Sequence, residues 1–78
     1  MTPSELILID TLTPHDAELA KLVAVHARYE NALAAFAERR WLTSGEEAEV
    51  RRLKRVKLAA RDRIETILES ARAARRAG

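Results

Sequence analysis

Imidazole is the commonest transition-metal ligand and the side chain whose charge changes near neutrality, so His15 and His26 are natural starting points for chemistry in this sequence. They stand eleven residues apart. On one helix that spacing turns them to within about 20° of each other but separates them by three turns, too far to share an ion. His26 and Glu30 have the four-residue spacing that puts two side chains on one helical face. They would offer two ligands, whereas a closed metal site takes more, and nothing nearby in sequence supplies the others. His26 therefore reads as a histidine in a helix seam, and neither a metal nor a cofactor is expected. Ser44 and Ser70 lack the Gly-x-Ser-x-Gly setting of a nucleophilic serine, and there is no glycine-rich phosphate loop. Without a reactive cluster no catalytic residue is expected. The chain reads as a non-enzyme without a small-molecule substrate.

The other candidates are basic. Arg51, Arg52, Lys54, Arg55, Arg72, Arg75 and Arg76 could neutralise nucleic-acid phosphates. Residues 1–45 carry a net charge of −2 and residues 46–78 carry +4. Acids are nevertheless interleaved with the bases, which is the pattern of a solvated helix laced with ion pairs. Glu47 with Arg51, Arg61 with Glu65 and Glu69 with Arg72 have helical-pair spacing, each worth about 0.2–0.5 kcal/mol. Only 4% of residues are aromatic, which leaves little for base stacking. Lys57 could meet a partner's carboxylate or phosphate, but the better reading lays its stem along the seam, with its ammonium at the edge over the Tyr29 ring. Asp62 reads as an ion-pair partner of a nearby arginine.

These side chains must be positioned by helices. The 78 residues include only two glycines and two prolines, and these fall where helices start or stop. Thr2-Pro3-Ser4-Glu5 is a helix start with threonine as N-cap and proline at the first position. Thr13-Pro14-His15-Asp16 repeats the pattern. Ser44-Gly45-Glu46-Glu47 is a third start, with Ser44 and Glu47 as a capping box, and Gly78 is a stop. The spacing predicts a short helix near residues 3–11 within an N-terminal arm (1–12). A second unit (13–78) holds helices near 14–41 and 44–77, about 42 and 50 Å long at 1.5 Å per residue. No alternating run supports a strand, so the fold class is all-α.

Heptad spacing then predicts the packing. One seam runs Leu19, Leu22, His26, Tyr29, Leu33, Phe36, Arg40; the other runs Val50, Leu53, Lys57, Ala60, Ile64, Ile67, Ala71, Ala74. A link as short as Leu42-Thr43 makes the helices antiparallel neighbours, a coiled-coil-like hairpin pairing residue i with roughly residue 86 − i. Leu33 then faces Leu53, Phe36 faces Val50, His26 faces Ala60 and Tyr29 faces Lys57. Apolar residues make up 47% of the chain, but fifteen of them are alanine, so one hairpin has a thin core. Val23, Val25, Val56, Leu58 and Leu68 flank or leave the seam, and the run Leu6-Ile7-Leu8-Ile9 needs cover, either by folding back on its own chain near Ile64 and Leu68 or by crossing to another chain. Leu6, Ile7, Leu8, Ile9, Val23, Val56, Leu58 and Leu68 are therefore the expected interface, with a second copy in a helical-bundle homodimer or with another protein. Trp41, at the hairpin tip, either packs back under the link or serves as a partner anchor.

The stretch Leu53-Lys54-Arg55-Val56-Lys57-Leu58, continuing Ala60-Arg61-Asp62-Arg63-Ile64, resembles the signature of the YdcH-like family of small bacterial proteins. That pattern is roughly Leu-Lys-x-x-Lys-Leu-x-x-Lys-Asp-x-Ile, preceded by a helix with a histidine and a basic residue two positions on. Here Leu22 and His26-Ala27-Arg28-Tyr29 occupy that earlier part. Arg61 stands where lysine is usual, the link between the helices is shorter than usual, and the segment before Thr13 lies outside the resemblance. The resemblance implies a coiled-coil-like helical hairpin and brings no activity with it.

The longest apolar run is far short of the roughly 20 residues of a membrane span, and no signal-peptide pattern accompanies it, so the expected setting is cytoplasmic. The leading functional expectation is a small protein acting through helix-to-helix contacts. The alternative is a nucleic-acid-binding module built on the basic second helix. Salt separates the two. Phosphate binding should lose affinity with a log-log slope of about −0.9 per duplex phosphate contacted, while helix packing hardly responds. A mobility-shift titration that finds no complex in low salt would remove the alternative.

Overall fold

The computed structural model describes residues 2–77, which form three α-helices and one short 3-10 turn, with no strand among the described residues. Helix α1 is Pro3–Leu12, the 3-10 turn is Thr13–His15, α2 is Ala17–Ala37 and α3 is Ser44–Ala77. The Cα framework measures 52 × 20 × 17 Å. Its long axis matches the length of α3, since 34 residues at 1.5 Å rise span about 51 Å. None of the helices is long and apolar enough to cross a membrane among the described residues. Gly78, expected as a helix stop, lies outside the described residues.

Helix α1 starts as its sequence dictates. Thr2 is extended, and its hydroxyl accepts the Glu5 N–H at 3.3 Å, with Pro3 at the first helical position. The start of α2 differs from expectation. Thr13 is not its cap, because the Thr13 hydroxyl donates back to the Ile9 carbonyl of α1. Pro14 is used in the 3-10 turn. Asp16 takes the cap instead, extended at φ −138° and ψ 97°, with Oδ1 accepting the Leu19 N–H at 3.0 Å. A carboxylate suits that place twice over, as an acceptor for an unpaired N–H and as a negative charge at the positive helix end.

The end of α2 is also a correction. The helix stops at Ala37, so Arg40 falls outside it and leaves the seam. Glu38, Arg39 and Arg40 are all exposed and bury nothing that would hold another helical turn. The Arg39 N–H closes the end on the Phe36 carbonyl at 3.0 Å, and the Arg39 guanidinium pairs with Glu46 in the first turn of α3. The link is thus residues 38–43, longer than expected. At its far end the capping box sits one residue earlier than predicted. The Thr43 hydroxyl accepts the Glu46 N–H at 3.1 Å, and Glu46 Oε1 accepts the Thr43 N–H at 3.0 Å. Thr43-x-x-Glu46 and Ser44-x-x-Glu47 are overlapping candidates in the sequence; the Arg39 contact adds to the first alone.

The core lies where all three helices meet. Leu8 and Ile9 of α1, Leu19 of α2, and Ile64 and Leu68 of α3 form one buried cluster, edged by Leu12, Leu22, Val23 and Ile67. Leu53 and Ala60 continue the buried line along α3. Glu18 reaches Arg63 at 2.9 Å and Glu30 reaches Lys57 at 3.5 Å, so later residues of α2 meet earlier residues of α3. The Lys57 ammonium, expected over the Tyr29 ring, is held by Glu30 at 3.5 Å.

Thr43→Ala should lower stability by about 0.5–2 kcal/mol, while Ser44→Ala should change it by no more than about 0.5 kcal/mol. Urea denaturation midpoints of the two variants measure the contrast, and equal midpoints would contradict the cap assignment.

Candidate partner-docking groove

Helix α1 covers only one end of the α2 and α3 pair. Towards the link, α2 and α3 have only each other, and a groove of about 600 Å³ opens there. Leu33 and Phe36 of α2, Leu42 of the link, and Val50 and Leu58 of α3 supply its apolar lining. Ala34 and Ala37 also line it, and their single methyl groups leave the space that larger side chains would fill. Helical rotation places Leu58 well off the stripe that faces α2, and it is 57% exposed.

The groove is flanked by Lys54, Lys57 and Arg61, with Glu30 as its single acid. Lys57 is partly neutralised by Glu30, and the Arg61 Nε lies 3.2 Å from Glu65. Lys54 has no carboxylate within ion-pair distance among the described residues. An apolar floor beside an excess of cations favours a ligand that is apolar on one side and acidic on the other.

The interface residues expected from sequence divide into two sets. Leu8, Ile9 and Leu68 are buried within the chain, so they belong to its own core. The cause is the fold-back of α1 onto Ile64 and Leu68, which covers these three in cis. Val23 and Val56 are half-buried. Leu6, Ile7 and Leu58 remain exposed, as does Trp41 at 76%. Trp41 stands in the link rather than at a helix end.

The basic candidates also divide. Arg52 pairs with Glu49, and Arg72 and Arg76 both pair with Glu69. Arg51, Lys54, Arg55 and Arg75 are exposed. Of the three helical pairs expected, Arg61–Glu65 and Arg72–Glu69 form, whereas Glu49 and not Glu47 finds an arginine. Asp62 forms no ion pair among the described residues; its backbone carbonyl accepts the Thr66 hydroxyl. His26 is 14% exposed in its side chain, with Nδ1 3.9 Å from Glu30. No three metal-ligating side chains converge among the described residues.

Sequence reasoning missed the groove because Leu33, Phe36 and Val50 read as seam residues. The available signal was Ala34 and Ala37 beside that seam, at the end that a ten-residue α1 does not reach. Compared with known proteins, the chain matches no family model, no curated protein and no solved structure.

Two carboxylates near this end are held below the usual range. Glu46 is lowered chiefly by the Thr43 N–H and further by the Thr43 hydroxyl and Arg39. Glu49 is lowered chiefly by its bond to Arg52. A carboxylate with a lowered folded pKa contributes stability above its unfolded pKa and loses it as pH falls through the folded value. Thermal melts should therefore decline as pH drops from about 5 towards 3. Glu46→Gln should flatten part of that decline, and an unchanged acid profile would contradict the assignment.

Proposed function

We propose that the protein acts without catalysis, through helix-to-helix contacts, as an antiparallel helical hairpin that pairs with a second copy in a helical bundle. The observation that supports this most is the unpaired apolar surface. Only seven hydrophobic side chains are buried among the described residues, while Leu6, Ile7, Trp41 and Leu58 stand 51–76% exposed. A chain of this size with so small a core gains from a second layer, and closed two-fold dimers are the commonest way of providing one. The resemblance to YdcH-like proteins is in keeping with a hairpin and adds no activity. Phosphate binding by α3 has less support, because Arg52, Arg72 and Arg76 already hold carboxylates.

Sedimentation equilibrium of the full chain at tens of micromolar is the direct test. The expected mass is about twice the 8.8 kDa of one chain. Leu58→Asp should return it towards the single-chain value, because a carboxylate buried at an interface without a partner is costly. A wild-type mass of one chain would overturn the proposal.

A further inference from the structure

The groove near the link and the outer face of α1 are complementary. Leu8 and Ile9 hold one side of α1 in the core, while Leu6 at 51% and Ile7 at 68% exposure face outwards. At 100° per residue, Leu6, Ile7 and Asp10 fall within an arc of about 100°, turned away from Leu8 and Ile9. Asp10 is exposed and has no ion-pair partner among the described residues. Helix α1 contains Glu5 and Asp10 and no basic residue. Glu5 turns to the inner side of α1 and is half-buried, so Asp10 is the acid of the outer face. That face is therefore apolar with one carboxylate, whereas the groove is apolar and basic, with Lys54 unpaired among the described residues.

The dimensions agree as well. The ten residues of α1 span about 15 Å, and the groove's lining on α3, from Val50 to Arg61, spans about 17 Å. The same two helices already accept the inner face of α1 at their other end, against Leu19, Ile64 and Leu68. The groove repeats those surroundings with no third helix over it.

We propose that the outer face of α1 of one copy seats in the groove near the link of a second copy, and reciprocally. Leu6 and Ile7 enter the apolar floor, and Asp10 meets Lys54. This rests on the self-association proposed above and specifies its contact. The reciprocal arrangement fills both grooves at once and closes the assembly at two chains, as an isologous interface requires. Each α1 then lies between its own α2 and α3 and those of the other copy.

Charge reversal on the full chain tests the contact. Asp10→Lys sets like charges against Lys54 of the other copy, and Lys54→Glu sets them against its Asp10. Both positions are exposed within one chain, so circular dichroism should show unchanged helix content in each variant. Each variant alone should weaken dimerisation about tenfold or more in sedimentation equilibrium. An equimolar mixture should recover wild-type affinity. In the mixed dimer, the Asp10→Lys position of one chain faces the Lys54→Glu position of the other. The unaltered Asp10 of the second chain faces the unaltered Lys54 of the first, so both contacts again pair opposite charges. If the wild type dimerises but the variants match it, or the mixture fails to recover, this contact is overturned while self-association stands. If the wild type is monomeric in the same runs, both proposals fall.

Discussion

Burial of Leu19, Ile64 and Leu68 beneath Leu8 and Ile9 is the constraint on which the rest of the structure depends. It is the one place among the described residues where three helices meet, and the three largest fully buried side chains belong to it. Side chains of this size contribute about 1.5–3 kcal/mol each when fully buried, more than any surface ion pair in the chain can supply. Helix α1 is too short to persist alone in water. Its order comes from this cluster, and the Thr2 and Asp16 caps determine where α1 and α2 begin.

The same junction explains the asymmetry of the molecule. One α1 of ten residues can cover only part of an α3 of 34 residues. Cover is confined to the end where α2 begins and α3 finishes. The end near the link is left with pairwise packing, small alanines and an open groove. Ion pairs such as Glu18–Arg63 and Glu30–Lys57 align the two long helices without closing that gap. They are exposed or half-exposed and act on register more than on stability.

Uneven cover is also what gives the molecule surfaces for another chain. A run of four consecutive apolar residues cannot be buried on one side of a helix, because successive side chains point 100° apart. Leu8 and Ile9 go inwards, so Leu6 and Ile7 must point out. The chain thus carries one apolar surface on α1 beside the Asp10 carboxylate and another near the link beside bases.

Much was determined by the sequence alone. Helix type follows from heptad spacing and from the absence of glycine and proline inside the long segments, and the Thr2 cap follows from local hydrogen-bonding chemistry. Those are short-range effects that neighbouring residues express wherever the chain goes. Tertiary structure decided the rest. Thr13 matches a cap as well as Asp16 does until its hydroxyl is taken by the Ile9 carbonyl. Ser44 matches as well as Thr43 until Arg39 reaches Glu46. Leu8 and Ile9 suit cover within the chain and cover by another chain equally until α1 folds back over Ile64 and Leu68. Periodicity says which residues share a face, but only the docking of α1 decides which face is covered and which is left open, because that choice depends on contacts between segments more than forty residues apart.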